Sequence, residues 1–166
     1  RNGNVYEYLT NEEQEIEKEI KAVDVDSSEV SSKLFRYLSS DILKTNKLKY
    51  AKNGQDFSFG YKLDDVPQGN QRELTIHFIT PETSYSDSEI AAQSMGRDEL
   101  RVFLGRDKRL LVDLRLLLKT EKYTKQRTNS GATPSMQAIL QSKQILNTDR
   151  EKELIERLRQ TVGKAQ

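Results

Sequence analysis

Residues 26–61 read DSSEVSSKLFRYLSSDILKTNKLKYAKNGQDFSFGY, a helix pattern running directly into a hairpin pattern. At about 100° per residue, Val30, Leu34, Phe35, Tyr37, Leu38 and Ile42 fall on one broad arc. Ser32, Lys33, Arg36, Ser39, Ser40 and Lys44 fall on the other, so the spacing predicts an amphipathic helix from Asp26 or Ser27 to about Lys44. Glu29 joins the polar arc, and Asp41 interrupts the apolar one. Beyond the helix, Lys47-Leu48-Lys49-Tyr50 and Phe57-Ser58-Phe59-Gly60-Tyr61 flank Asn53-Gly54. An Asn-Gly pair tolerates the positive φ that a tight antiparallel turn needs, so the two runs read as a hairpin.

Toward the N-terminus, Val5, Tyr6, Tyr8 and Leu9 form a short β-prone run. Thr10 then stands three residues before Glu13, a capping-box spacing that opens a helix. Ile16, Ile20 and Val23 give that helix a narrow apolar seam. Glu12, Glu13, Glu15, Glu17 and Glu19 are left for solvent or a basic partner, and the first of them suit the positive end of the helix dipole.

Toward the C-terminus, Pro67-Gln68-Gly69-Asn70 reads as a turn and Glu73–Ile79 as a third strand closed by Pro81, completing a small β-meander. Residues 82–98 read as a polar linker with one helical turn around Glu89–Gln93, and Glu99–Leu104 as a further strand. Asp107 is the expected N-cap of a helix to about Gln126. Its leucines (Leu110, Leu111, Leu114, Leu116, Leu117 and Leu118) spread past one face, which predicts a helix central in a core or packed on two sides. Thr133-Pro134 opens the next helix, and the spacing of Thr148 and Glu151 predicts a restart within it. Leu154, Ile155, Leu158 and Val162 line its end, and Gly163 stops it. The class is α+β: a winged-helix-like module over 1–81, a linker over 82–98, and a strand plus helical module over 99–166.

Composition narrows the chemistry. The 166 residues hold no cysteine, no tryptophan and one histidine, which excludes disulfides, thiolate metal sites, cysteine nucleophiles and His-rich metal sites. No apolar run approaches a membrane span. Lysine and arginine number 27 against 26 acidic residues, distributed as 11 against 14 over residues 1–80 and 16 against 12 over 81–166. That asymmetry is too small to diagnose nucleic-acid binding alone. A start at Arg1 in place of methionine suggests a piece of something longer.

Neither the P-loop pattern nor the three-glycine dinucleotide fingerprint occurs. His77 lies in an alternating strand on the face of Thr75 and Ile79, a pattern that predicts a half-exposed strand residue. Asp64-Asp65, Asp24 and Asp26 lack calcium-loop spacing and read as turn chemistry. Phe57, Phe59 and Tyr61 alternate as one wall of a small core. Lys33, Arg36, Lys44, Lys47 and Lys49, on the helix arc and the hairpin after it, match a helix-plus-wing layout and are the candidate contacts to nucleic-acid phosphates. No catalytic or metal-binding constellation is found. Arg106, Lys108, Arg109, Arg115, Lys119, Lys122, Lys125 and Arg127 form a basic stretch on the leucine-rich helix. It reads equally as a phosphate or acidic-partner contact and as a solvated face. The leucine-rich helix itself is the alternative site for subunit contact, in a purely protein-interaction module.

Three stretches together carry a resemblance: Asn2–Gln14 (NGNVYEYLTNEEQ), Glu73–Pro81 (ELTIHFITP), and Leu100–Leu104 (LRVFL) leading to Leu118–Tyr123 (LKTEKY). In this order and spacing they resemble the region after the ATPase core in the BrxC/PglY family, the large P-loop proteins of bacterial BREX phage-defence systems. The resemblance implies a cytoplasmic ATPase using ATP and magnesium, within a complex that methylates host DNA and restricts phage. Partners would be other BREX proteins, further copies of itself or double-stranded DNA, with no membrane. The absent phosphate loop departs from the full family pattern, so ATPase chemistry is expected outside this stretch and no cofactor within it.

Overall fold

The computed structural model describes residues 10–94, 98–105 and 108–163. The strand expected at Val5–Leu9 and the cap expected at Asp107 lie outside them.

Local chemistry sets the first two helices. Helix α1 (Asn11–Ala22) opens with a full capping box: Glu13 N–H donates to the Thr10 hydroxyl, and the Glu13 carboxylate accepts the Thr10 N–H at 2.7 Å. Helix α2 (Ser27–Arg36) repeats the device with Asp26 and Glu29. Two orphan donors are satisfied reciprocally at each start. Beyond Arg36 the helix widens into a π-helical segment, Tyr37–Leu43, ending where Lys44 adopts φ 55° and donates its N–H to Ser39.

Strand β1 (Lys47–Lys49) and strand β2 (Asp56–Leu63) form the expected antiparallel hairpin, with Leu48 opposite Phe57. Asp64 and Asp65, at φ 44° and 66°, then make a two-residue turn into strand β3 (Val66–Gln68). Strand β4 (Leu74–Ile79) lies on the opposite edge of β2 and runs parallel to it, with Phe59 beside Leu74 and Leu63 beside Phe78. The class is α+β as expected, but β4 is not the third strand of a meander. Residues 69–73 carry the chain across β2 from one edge to the other, directly over Gly60. A Cβ there would stand 3.1 Å from both Arg72 N and Asn70 O. Only glycine leaves room for a crossing that close.

Helix α3 (Asp87–Ser94) occupies the stretch expected to link two modules, and strand β5 (Glu99–Phe103) joins the same sheet parallel to β4. Among the described residues the sheet has five strands, ordered β1-β2-β4-β5, with β3 sharing β1's edge of β2. Helix α4 (Arg109–Asn129) and helix α5 (Pro134–Gly163) complete the chain. Helix α5 is continuous through Thr148, against the expected restart. The Thr148 hydroxyl donates back to Gln144 O, within the same helix, and caps nothing.

One core draws on both sides of residues 82–98. Leu34, Tyr37 and Leu38 meet Phe59, Tyr61, Ile76 and Phe78 on one sheet face, together with Leu114 and Leu117 of α4 and Leu154 and Leu158 of α5. Tyr61 packs edge-on against both Phe35 and Phe59 at 5.3 Å between centroids. A smaller cluster of Ile16, Ile20, Tyr123 and Leu140 holds α1 against α4 and α5. The leucine-rich helix is therefore packed on several sides, as its width predicted.

Candidate nucleic-acid interface

The five cations named from sequence occupy two different environments. Lys44, Lys47 and Lys49 are exposed at the end of the π-helical segment and along β1. Among the described residues none of them forms an ion pair, and Lys52 at the hairpin turn is likewise exposed and unpaired. Arg36 is largely exposed, 3.7 Å from the Glu151 carboxylate and over the Tyr37 ring.

Lys33 turns inward. Its side chain is only 12% exposed, and Nζ lies 2.9 Å from Glu121 of α4 and 3.2 Å from Glu151 of α5. The buried Tyr37 hydroxyl donates to the same Glu151 at 2.7 Å. Burial, with the neighbouring carboxylate, pushes the phenol far above its ordinary range, so it remains a donor. The Tyr37 and Lys33 contacts hold the Glu151 carboxyl below its ordinary range, against its own desolvation. This cluster clasps α2 to α4 and α5.

Four members of the basic stretch on α4 make contacts within the chain, while Lys125 stays exposed. Arg115 pairs with Glu82, Lys122 with Glu29, and Arg127 with Glu19 at 2.6 Å. Lys119 donates to Lys21 O at 2.7 Å and Lys122 to Asp24 O at 3.0 Å, satisfying carbonyls at and just past the end of α1. Two acidic residues of α1 face basic partners, Glu17 meeting Lys143 and Glu19 meeting Arg127, while Glu13 serves the capping box and Glu12 accepts from the Ser135 hydroxyl. Leu116 and Leu118 of α4 are half-buried. Leu110, Leu111, Leu114 and Leu117 are buried, and Val112 stands out alone at 61% exposure.

Sequence reasoning missed a polar row on the opposite face of the sheet. Lys62, His77 and Arg101 stand side by side on β2, β4 and β5 because those strands are parallel and in register. Lys62 Nζ and Arg101 both reach the Glu99 carboxylate, and Arg101 also donates to Gln93 of α3 at 3.1 Å. His77 is buried, not half-exposed, at 2%. The signal was parity within each strand, unreadable until the pairing was known. Asp64 and Asp65 keep their turn role, with Asp64 accepting both the N–H and the hydroxyl of Thr80. Phe59 and Tyr61 are core residues, while Phe57 at 37% exposure sits on the open end of the same face with Leu48 and Leu100.

Fold and surface together define a mixed α+β domain with a lysine-bearing hairpin at one sheet edge. No helix among the described residues is long and apolar enough to cross a membrane. Residues 23–166 match the family described as "BREX ATP-binding protein BrxC 4th domain with six-stranded beta sheet". The chain belongs to this family, which places it in a BREX phage-defence system. No solved structure matches it.

Proposed function

We propose that this chain is a non-catalytic module of a BREX-type ATPase and that it contacts the DNA backbone through Lys44, Lys47 and Lys49, flanked by Lys52 and Arg36. The observation that supports this reading is a contrast. Arg115, Lys119, Lys122 and Arg127 of α4 are matched by carboxylates or carbonyls of this chain. The hairpin lysines, like Lys125 on α4, are exposed without an ion pair among the described residues, and on the hairpin they stand together. Exposed lysines on a short edge strand act as point charges toward phosphates and carry no base readout. ATP hydrolysis would be supplied elsewhere in the parent protein, since these 166 residues lack a phosphate-binding loop.

Fluorescence anisotropy of a short labelled duplex, titrated across salt, tests the reading. Three to four phosphate contacts give a slope of log affinity against log salt of about −3 to −4, independent of DNA sequence. Combined Lys44→Glu, Lys47→Glu and Lys49→Glu should remove binding, and binding unchanged by that triple variant overturns the assignment.

A second reading, assembly through protein contact alone, is favoured by one observation. Leu48, Phe57 and Leu100 are 48%, 37% and 59% exposed at the open end of the core face of the sheet. On that reading DNA affinity is absent, and Leu100→Lys with Leu48→Lys abolishes association in light scattering.

A further inference from the structure

The structure assigns to the α4–α5 face beneath α1 the role of an acceptor for an acidic amphipathic helix, filled here by α1 and open to exchange with such a helix from a partner protein. The family match begins at residue 23, just after α1. With α1 lifted away, α4 and α5 would present Tyr123 and Leu140, both nearly fully buried here against Ile16 and Ile20. Around this apolar centre stand Arg127 and Lys143, a surface whose complement is two apolar residues four apart amid carboxylates. Helix α1 has that chemistry: Ile16 and Ile20 enter the apolar centre, Glu17 lies 2.7 Å from Lys143, and Glu19 lies 2.6 Å from Arg127.

Three features make the seat exchangeable. The α1 cluster is separate from the main core, which closes between α2, the sheet, α4 and α5 without Ile16 or Ile20. The Glu19–Arg127 pair is partly exposed on both sides, at 46% and 40%, and Glu17 is 38% exposed against a more buried Lys143, so salt weakens the first pair most. The seam is also incompletely filled. A groove of about 280 Å³ at the edge of α1, lined by Glu17, Ile20 and Lys21 of α1 and across from them by Leu116, Leu146 and Arg150, gives an incoming acidic helix a foothold. Complementary charge across such a seat governs which helix is accepted.

The test uses the whole chain. Ile16→Asp with Ile20→Asp should free α1 while leaving the main core intact, checked by circular dichroism. A labelled peptide of residues 10–24 should then bind that variant saturably, and bind the wild-type chain, whose own α1 competes, at least about tenfold more weakly. Adding Lys143→Glu and Arg127→Glu should cost a further tenfold or so, and rising salt should weaken binding throughout. No saturable binding to the folded variant, or binding indifferent to the charge reversals, overturns the proposal. Should the variant fail to fold, hydrogen exchange on the wild-type chain decides. Amides of α1 opening ahead of those of α4, and faster in salt, support exchange; α1 opening only with global unfolding overturns it. A wild-type dimer formed by swapped α1, without peptide binding, overturns the partner helix in favour of a second copy.

Discussion

The backbone N–H of Asp65 donates to Nε2 of His77 at 3.1 Å, tying the β2–β3 turn to the middle of β4. A nitrogen that accepts a hydrogen bond carries no proton, so the ring is neutral with its proton on Nδ1. That atom has no hydrogen-bond partner among the described residues and lies 3.7 Å from the Glu99 carboxylate.

Stability should therefore fall in mild acid through this one side chain. Burial, chiefly, lowers the imidazole pKa below its ordinary 6.5; Arg101 and Lys62 add to this, while Asp65 and Glu99 oppose it. The unfolded chain takes up a proton as pH drops below 6.5 and the native chain does not, so stability is full above that pH and declines below it. Glu17, Glu19, Glu99 and Glu151, held below their ordinary 4.5, titrate at lower pH and leave the window clear. Urea unfolding at about pH 7.5 and 5.5 should show the loss in the wild-type chain and none in His77→Gln, whose carbonyl can still accept from Asp65. Equal slopes in the two proteins would assign the effect elsewhere.

Gly60 carries the topology. Adding one methyl group at this position drives a Cβ to 3.1 Å from two backbone atoms of the crossing strap, neither of which can rotate aside. Gly60→Ala should cost about 1–3 kcal/mol in urea unfolding, and Gly60→Val more, as overpacking against fixed backbone does. A neutral Gly60→Ala would show that residues 69–73 do not cross there.

The clasp between Tyr37 and Glu151 makes a third prediction. Tyr37→Phe leaves Glu151 with Lys33 at 3.2 Å but removes its buried donor, at a cost of about 1–2 kcal/mol. Combined with Glu151→Gln in a double-mutant cycle, the effects should fall short of additive, because the two groups share one bond. Strict additivity would place the two side chains in independent roles.

Where structure is local, the sequence was a good guide. The Thr10–Glu13 capping box, the start of α2 at Asp26 or Ser27, the Asn-Gly hairpin and the apolar girdle of α4 depend on residues within a turn or two of one another. The capping-box spacing at Thr148 and Glu151 misled, because tertiary packing carries α5 through it. The parallel pairing of β2 and β4 was not legible, because it depends on a five-residue crossing made possible by an unremarkable glycine in an aromatic strand. The same gap hid the polar row: Lys62, His77 and Arg101 become neighbours only through that pairing. Among the candidate contacts, Lys47 and Lys49 lie on a short edge strand, where exposure follows from position. Lys33 shared a helical arc with serines and Arg36, yet its partner Glu121 is 88 residues away.

That last difference separates stability from binding in an experiment. Lys33→Glu would set a third carboxylate against Glu121 and Glu151 in a side-chain site only 12% exposed. Breaking a largely buried charge cluster in this way should cost about 3–5 kcal/mol. The loss should appear in urea unfolding, and any DNA affinity measured on the folded fraction should scarcely change. Lys47→Glu with Lys49→Glu should do the reverse. Both side chains are exposed and unpaired, so reversal should alter stability by no more than about 0.5 kcal/mol. Removing two phosphate contacts and adding two repulsions should lower duplex affinity and reduce the salt slope by about 2. If Lys33→Glu abolished binding without lowering stability, its inward pairing would be wrong and the helix arc, not the hairpin, would be the surface that meets DNA.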